Sequence, residues 1–426
     1  MPSGETPPIA LVDCESFYVS CERVFDARLR KVPVVVLSNN DGCVISLSKD
    51  AKEAGIPMGA PYFKVRQELE RIGARVLSSN YALYGDMSRR VMETLQTCAP
   101  DVEAYSIDEA WLRLPSVDPA ELTALARQIQ ERVGQWTGIP VRVGIGPTKV
   151  LAKVAQRLAR EHGETFSVTG HPDLDGLLEA VPVDKLWGIG RQYGPRLRGL
   201  GVHTARALRD VPLPWARRHL TVVGERLVLE LRGVSCLPFE EAAPRHSLCC
   251  CRSFGEPVAD PAVLRRALAT FASRVAEKAR RHGLVAAAIS VLLTTRGWVT
   301  GPHQHSVVTA TLSRATNYTP ALIQAASMLL DRVWQNGPRY RKAGVTLLGL
   351  HPAQPEQTHL FEPTDDRQGT LMAAMDALNG RYGAGIVRMA AASRSLGHKR
   401  EEGWQGRQAY RSPGYTTSWE GLMRVR

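Results

Sequence analysis

The apolar run Ile9-Ala10-Leu11-Val12 ends on Asp13, and two more acids, Asp108 and Glu109, separate the strand-like runs Val102-Glu103-Ala104-Tyr105-Ser106-Ile107 and Ala110-Trp111-Leu112. Alone, Asp13 reads as a turn cap after a strand. The set of three, flanked by apolar strands on both sides, reads as a metal site. Carboxylates at strand ends or turns can hold two hard divalent cations. Such a pair stabilises both the entering and the leaving oxygen of a phosphoryl transfer. Neighbouring residues of a flat strand face opposite sides, so Asp108 and Glu109 can both aim inward only if 107–110 is a tight turn. The backbone carbonyl of Cys14 is a candidate further ligand.

The surrounding pattern predicts an α+β sheet with helices over one face. Strands are expected at 9–13, 33–37 and 141–145, with helices at 17–27, 48–54, 84–97, 119–135 and 149–161. Asp118 and Pro119 mark a helix start. From about 174 the texture changes to short helices and glycine turns, and a Pro-rich, acidic break at 238–244 ends that region. Beyond it lie helices at 262–282 and 320–335 and strand-like runs at 287–295, 305–312 and 343–350. A linker follows at 352–356, then a helical stretch at 368–378. The Gly/Arg/Ser-rich end is expected to order only with a partner. At 426 residues the chain should divide into three or four domains.

Charge is placed unevenly. Residues 1–244 carry 30 basic and 30 acidic side chains, whereas 245–352 carry 14 and 4. That second segment has the footprint of a phosphate-backbone binder. The longest apolar stretch, about 284–293, is far too short to span a membrane. The first residues lack the basic and apolar regions of a secretory signal. None of the eight cysteines forms a C-x-x-C pair, so a reducing, cytoplasmic setting is expected.

Leu186-Trp-Gly-Ile-Gly190, with Leu200-Gly-Val202 beyond it, reads as a helix-hairpin-helix. Gly188 and Gly190 would let backbone approach a phosphate, and Arg191 adds charge.

Five stretches carry a resemblance to a known family. They are Asp13-Cys-Glu-Ser-Phe-Tyr-Val-Ser-Cys-Glu22, Leu37-Ser-Asn-Asn-Asp-Gly-Cys-Val-Ile45, Ser79-Asn80-Tyr81, Tyr105-Ser-Ile-Asp-Glu-Ala110 and Gly146-Pro-Thr-Lys-Val-Leu-Ala-Lys153. Together they resemble the Y-family translesion DNA polymerases, from about residue 9 to the C-terminus. The resemblance implies a right-hand polymerase with a ferredoxin-like palm (1–30 and 80–170), small fingers (31–79) and a helical thumb (171–240). It implies an α/β little finger (245–352) and a C-terminal extension (353–426) as well.

The implied activity is template-directed, low-fidelity DNA synthesis past damaged bases in a bacterial SOS response, without proofreading. Two Mg²⁺ ions would be held by Asp13, Asp108, Glu109 and the Cys14 carbonyl. Tyr18, beside Phe17, would be the steric gate that rejects a 2′-hydroxyl. Lys52 and Arg160 would hold the triphosphate. Many relatives carry a tyrosine where Lys49 stands, so Lys49 either replaces it as a point charge or faces solvent. Arg252, Arg265 and Arg266, with Arg274, Lys278, Arg280 and Arg281, would grip DNA.

Gln357-Thr-His-Leu360-Phe361 matches the short peptide that docks on the bacterial β sliding clamp. The tail suggests, through the resemblance alone, a UmuD′-type accessory dimer and the RecA filament as partners. Two competing classes are a non-catalytic DNA- and clamp-binding scaffold, disfavoured by retention of all three acids, and a nucleotidyl cyclase, disfavoured by the helix-hairpin-helix and the basic segment.

Overall fold

The computed structural model describes residues 7–115, 118–240, 245–295, 305–353, 366–383, 385–392, 404 and 406–417. The chain forms two compact units, residues 1–38, 42–242 and 410–426 in one and 39–41 and 243–409 in the other. The first runs β1 (Ile9–Cys14), α1 (Phe17–Phe25), β2 (Val34–Leu37), β3 (Val44–Leu47), α2 (Lys49–Glu53), α3 (Tyr62–Arg71), β4 (Arg75–Ser78), α4 (Tyr81–Gln96), β5 (Asp101–Ala104) and β6 (Glu109–Arg113). It continues with α5 (Pro119–Thr137), β7 (Val141–Gly146), α6 (Lys149–His162), β8 (Thr165–Ser167), α7 (Leu174–Glu179), α8 (Tyr193–Gly199), α9 (Ala205–Asp210) and α10 (Leu213–Leu231).

The main sheet has the order β5-β6-β1-β7-β8. β1 lies antiparallel between β6 and β7. Both faces of this strand are buried, and strand alternation sorts its side chains. Ala10, Val12 and Cys14 join Val143 and Ile145 in a core shared with α1, α4 and α5. Ile9 and Leu11 cluster on the other face with Trp111 and with Ala152 of α6. Helices therefore cover both faces, not the one expected. The reason lies in β7: a Cβ on Gly144 would stand 2.0 Å from the Gln156 backbone nitrogen, and one on Gly146 2.6 Å from that of Ala152. Two side-chain-free positions let α6 lie directly on the strand.

A small sheet of order β3-β2-β4 follows β1 in the chain. Of its strands the sequence predicts only β2. β3 and β4 are four residues each, and α3 carries six charged or amide side chains in ten positions, which blurs its period. A third core gathers α6 with α7 to α10.

The second unit holds β9 (Ser247–Val258), α11 (Pro261–Arg281), β10 (Leu284–Thr294), β11 (His305–Thr316), α12 (Thr319–Val333), β12 (Tyr340–Pro352) and α13 (Asp366–Tyr382). Its sheet is antiparallel, in the order β11-β10-β12-β9. Leu264, Leu268, Phe271 and Val275 of α11 pack with Leu322, Leu329 and Leu330 of α12 in the core beneath the sheet. Asp260 caps α11, with Pro at its start.

The end of the chain departs from expectation. Residues 410–417 are ordered within the first unit. Ser78 N donates to the Tyr410 carbonyl at 3.0 Å, the Tyr410 N–H donates to Ser78 Oγ at 2.9 Å, and Arg411 bridges Ser78 in parallel. The tail so covers the β4 edge, which would otherwise leave backbone groups unpaired. Tyr415 stacks on Phe25 with ring centroids 5.0 Å apart and joins the core. The Ser412 hydroxyl donates to Glu22 Oε1 at 3.0 Å.

Glu22 is fully buried. Burial pushes its carboxyl up to about 6, against hydrogen bonds from Tyr84 and Ser412 that favour the charged form. The folded chain therefore keeps a proton on Glu22 over a pH range in which the unfolded chain has lost it. This contribution is full below the ordinary carboxylate range and is lost as pH rises through about 6. Glu22→Gln supplies a neutral acceptor. Its unfolding free energy relative to wild type should rise on the order of 2 kcal/mol across that window and then level off. Urea titrations at stepped pH check this; a difference that stays constant with pH would contradict the burial argument. Gly144→Ala should lower stability by about 3 kcal/mol or more, since α6 must lift off β7. Thermal melting reads that loss, and a melt within a degree of wild type would show that α6 shifts freely.

Candidate active site

Asp13 and Glu109 are direct partners across the β1–β6 ladder. Register alone brings their side chains onto one face, and Asp13 hydrogen-bonds Glu109. Burial, then the Glu109 hydrogen bond and charge, push the Asp13 carboxyl up to about 8. Glu109 is held below its usual range: its own burial is outweighed by hydrogen bonds from Asp13 and from Lys153. The Lys153 ammonium donates to Glu109 Oε1 at 2.5 Å.

Asp108 sits one residue before β6, in the 105–108 turn, where its carbonyl accepts from Cys14 N at 2.8 Å. Its carboxylate accepts from the Ser106 hydroxyl at 2.5 Å. The structure thus draws Asp13 and Glu109 together and leaves the Asp108 carboxylate turned to Ser106. Among the described residues no group of three His, Cys, Asp or Glu side chains is gathered tightly enough to cage a metal. The donor set still suits a hard cation. Two oxygen acids opposed across a ladder need positive charge between them, and here a shared proton and Lys153 supply it. The Cys14 thiol is buried and pushed far above its usual range by that burial, which excludes thiolate chemistry and leaves Cys14 its carbonyl.

Lys153 was not singled out from the sequence. Its signal is the i, i+4 spacing from Lys149 on α6. Lys149 is 3% exposed and spans Glu103, at 2.6 Å, and the Pro238 carbonyl, at 2.8 Å, so it is structural. Behind the acidic turn, the rings of Tyr105, Trp111 and Trp187 pack at 5.6–6.0 Å.

Cations border the acids. The Lys52 ammonium donates to Ser16 Oγ at 3.0 Å. Partial burial, then the like charges of Arg160 and Arg142, lower its pKa. Arg142 also pairs with Glu15. Lys52, Arg142 and Arg160 therefore share one electropositive patch, of which Arg142 was not foreseen. Lys49 is exposed, with its ammonium 3.9 Å from Glu53 of the same helix.

Tyr18 stacks on Tyr84 with centroids 4.4 Å apart and 16° between planes, and meets Tyr81 edge-on at 6.1 Å. Phe17, expected beside Tyr18 at the nucleotide, has its ring 3% exposed within the core, where it supports the helix start.

In the 186–190 turn, Gly188 adopts φ +91°, which requires glycine. A Cβ on Gly190 would meet open space, so close packing does not dictate that glycine. Arg191 is exposed. In the second unit Arg252 is exposed. Arg265, expected at DNA, pairs with Asp331 at 2.6 Å and with Ser327, tying α11 to α12. Arg280 likewise binds Asp376 through two bonds of 2.6 and 2.8 Å. Arg281 pairs with Glu277. Arg266 is half-buried on α11. The clamp-type peptide, Gln357, Leu360 and Phe361, lies outside the described residues.

Residues 12–157 match the impB/mucB/samB family, 245–360 match its C-terminal domain, and 369–425 match a domain of unknown function. Protein UmuC of Salmonella typhimurium is 41% identical, covering 98% of this chain and 100% of that protein. Protein SamB of the same species is 40% identical over 97% and 98%. A DNA polymerase IV of Moorella thermoacetica is 30% identical over 91% and 97%. Among solved structures, a chimeric Y-family DNA polymerase superposes with a TM-score of 0.66 at 20% identity, covering 81% of this chain and 99% of that one. This likeness supports the fold. The chain belongs to the impB/mucB/samB family.

Proposed function

We propose that this chain is a template-directed DNA polymerase that copies damaged templates, attaching a deoxynucleotide to a primer 3′-hydroxyl with release of pyrophosphate. The observation that carries the reading is the Asp13–Glu109 pair, opposed in register beside Lys153 and the Lys52/Arg142/Arg160 patch. Asp13, Glu109, the Cys14 carbonyl and, after rotation away from Ser106, Asp108 would hold two Mg²⁺ ions, which when bound neutralise charge on the reacting phosphate. Lys52, Arg142 and Arg160 would grip the triphosphate oxygens. Tyr18 would lie under the incoming sugar and exclude a 2′-hydroxyl.

On this reading the five-stranded unit is the palm, the small sheet the fingers, α7 to α10 the thumb and the second unit the little finger. DNA would meet the little finger on the sheet face away from α11 and α12. Thr309, Thr311, Thr346, Ser247 and Cys249 alternate with the core-facing positions of their strands and lie on that face, where a phosphate chain could approach the backbone. Arg252 and Arg191 would add salt-sensitive contacts. Residues 357–361 would dock on the β sliding clamp. An SOS role, with a UmuD′-type dimer and the RecA filament as partners, would follow from the resemblance to the translesion polymerases.

Asp108→Asn should reduce primer extension by at least about a thousandfold while DNA affinity changes less than about twofold. Extension on an abasic template, paired with a DNA-binding titration, decides it; near-normal extension by the variant would end the catalytic assignment. Lys52→Ala should raise KM for dNTP about tenfold with kcat nearly kept. Steady-state insertion kinetics read the split, and an unchanged KM would remove Lys52 from the triphosphate grip.

A further inference from the structure

Glu22 is a fully buried carboxyl within the core of the first unit. Two hydroxyls converge on the same oxygen, Oε1: Tyr84 at 2.8 Å and Ser412 at 3.0 Å. Tyr84 is itself fully buried, and its ring is the one stacked on Tyr18. Beside it Asn80 caps α4, accepting from Leu83 N. The amide of Asn80 donates outward to Ser412 Oγ at 2.9 Å and to the Pro413 carbonyl at 3.2 Å. Three segments distant in the chain, α1, the start of α4 and the C-terminal tail, are thus joined through a few short bonds directly behind one aromatic ring.

We propose that residues 410–417 are an internal clasp that seats Tyr18, with Ser412 and Glu22 as positioning residues for sugar selection. The proposal rests on the reading of Tyr18 as the gate. It gives a role to part of the 369–425 segment, whose family model is a domain of unknown function.

A tyrosine ring held by its faces alone can swing about χ1, whereas one whose hydroxyl is bonded at the far end is fixed at both ends. Tyr84 is held in that way, and Tyr18 leans on it. Glu22 can hold Tyr84 only while Glu22 is itself held, and Ser412 is its other partner. The tail is anchored independently by Tyr415 on Phe25 and by its pairing with Ser78, so the Ser412 hydroxyl is delivered in place. Without the clasp, Glu22 loses one of its two donors and Asn80 loses both of its acceptors. Water entering that gap would let Tyr84, and with it Tyr18, move away from the sugar.

The test uses the full-length chain and single-nucleotide insertion with matched dNTP and rNTP. The variants are Ser412→Ala/Tyr415→Ala, Ser412→Ala, Ser412→Thr, Tyr18→Ala, and Tyr18→Ala combined with the tail pair. Thermal melting confirms folding of each. The tail pair should lose about tenfold of dNTP-over-rNTP discrimination in kcat/KM, mainly through a lower KM for rNTP, with kcat for dNTP nearly kept. Ser412→Thr, which retains the hydroxyl, should restore discrimination. Tyr18→Ala should lose more, and the tail pair should then add nothing, because both act through one ring. Full discrimination in the tail variants alongside a loss in Tyr18→Ala would overturn the clasp and leave the gate standing. Multiplicative losses would also overturn it, since the tail would act elsewhere. Full discrimination in Tyr18→Ala would remove the gate and the proposal together. If the tail pair fails to fold, Ser412→Ala alone decides.

Discussion

Two carboxyls facing each other across adjacent strands are costly, and the first unit is arranged around offsetting that cost. Asp13 and Glu109 oppose each other because the β1–β6 register leaves no choice. The compensating charge comes from α6, and α6 can bring it only because it lies on β7. Gly144 and Gly146 allow that approach, and Lys153 then reaches Glu109. The two glycines thus act on the acid pair through a helix that neither acid touches along the chain. A side chain at either position would raise α6 and leave like charges facing each other without a cation.

The same logic separates charge from binding surface in the second unit. The excess of ten positive charges over residues 245–352 is real, but Arg265 and Arg280 are used inside the fold, one bridging α11 to α12 and one bridging α11 to α13. Exposed pairs of this kind add little stability. The Arg280 pair is better sheltered, and its guanidinium also donates to the Asn317 carbonyl and Thr319, so it fixes the start of α12 as well. A residue count along a helix therefore overstates the charge left for a ligand.

Much of this was legible in the sequence where the signal is local. β1, β7, α5 and α6 announce themselves through apolar runs, caps and periodicity, and the acids stand out because they interrupt such runs. The Asp13–Glu109 pairing was legible only as an expectation of a turn, which falls at 105–108, not 107–110. β3, β4 and α3 were missed, being short or polar. Lys153 and Arg142 were missed for a different reason: each is an ordinary cation until the fold places it beside an acid from another strand. The ion pair of Arg265 was not legible for the converse reason, since its partner Asp331 lies 66 residues away.

Glu22 is the hardest case to read from sequence, because nothing local marks it as buried. A carboxyl on an amphipathic helix ordinarily faces water, and enclosing one costs several kcal/mol unless it is bonded or protonated. Burying leucine there would be the more stable solution on energetic grounds alone. A polar group kept in such a place specifies geometry more than it adds stability: it accepts only hydroxyls at set positions, where an apolar side chain would tolerate sliding. The donors chosen are Tyr84, on the helix that backs Tyr18, and Ser412, on a segment almost four hundred residues away. An interaction that joins residues 410–417 to the first helix can form only once the intervening unit has folded. Its presence therefore couples the final arrangement of the Tyr18 surroundings to completion of the whole first unit.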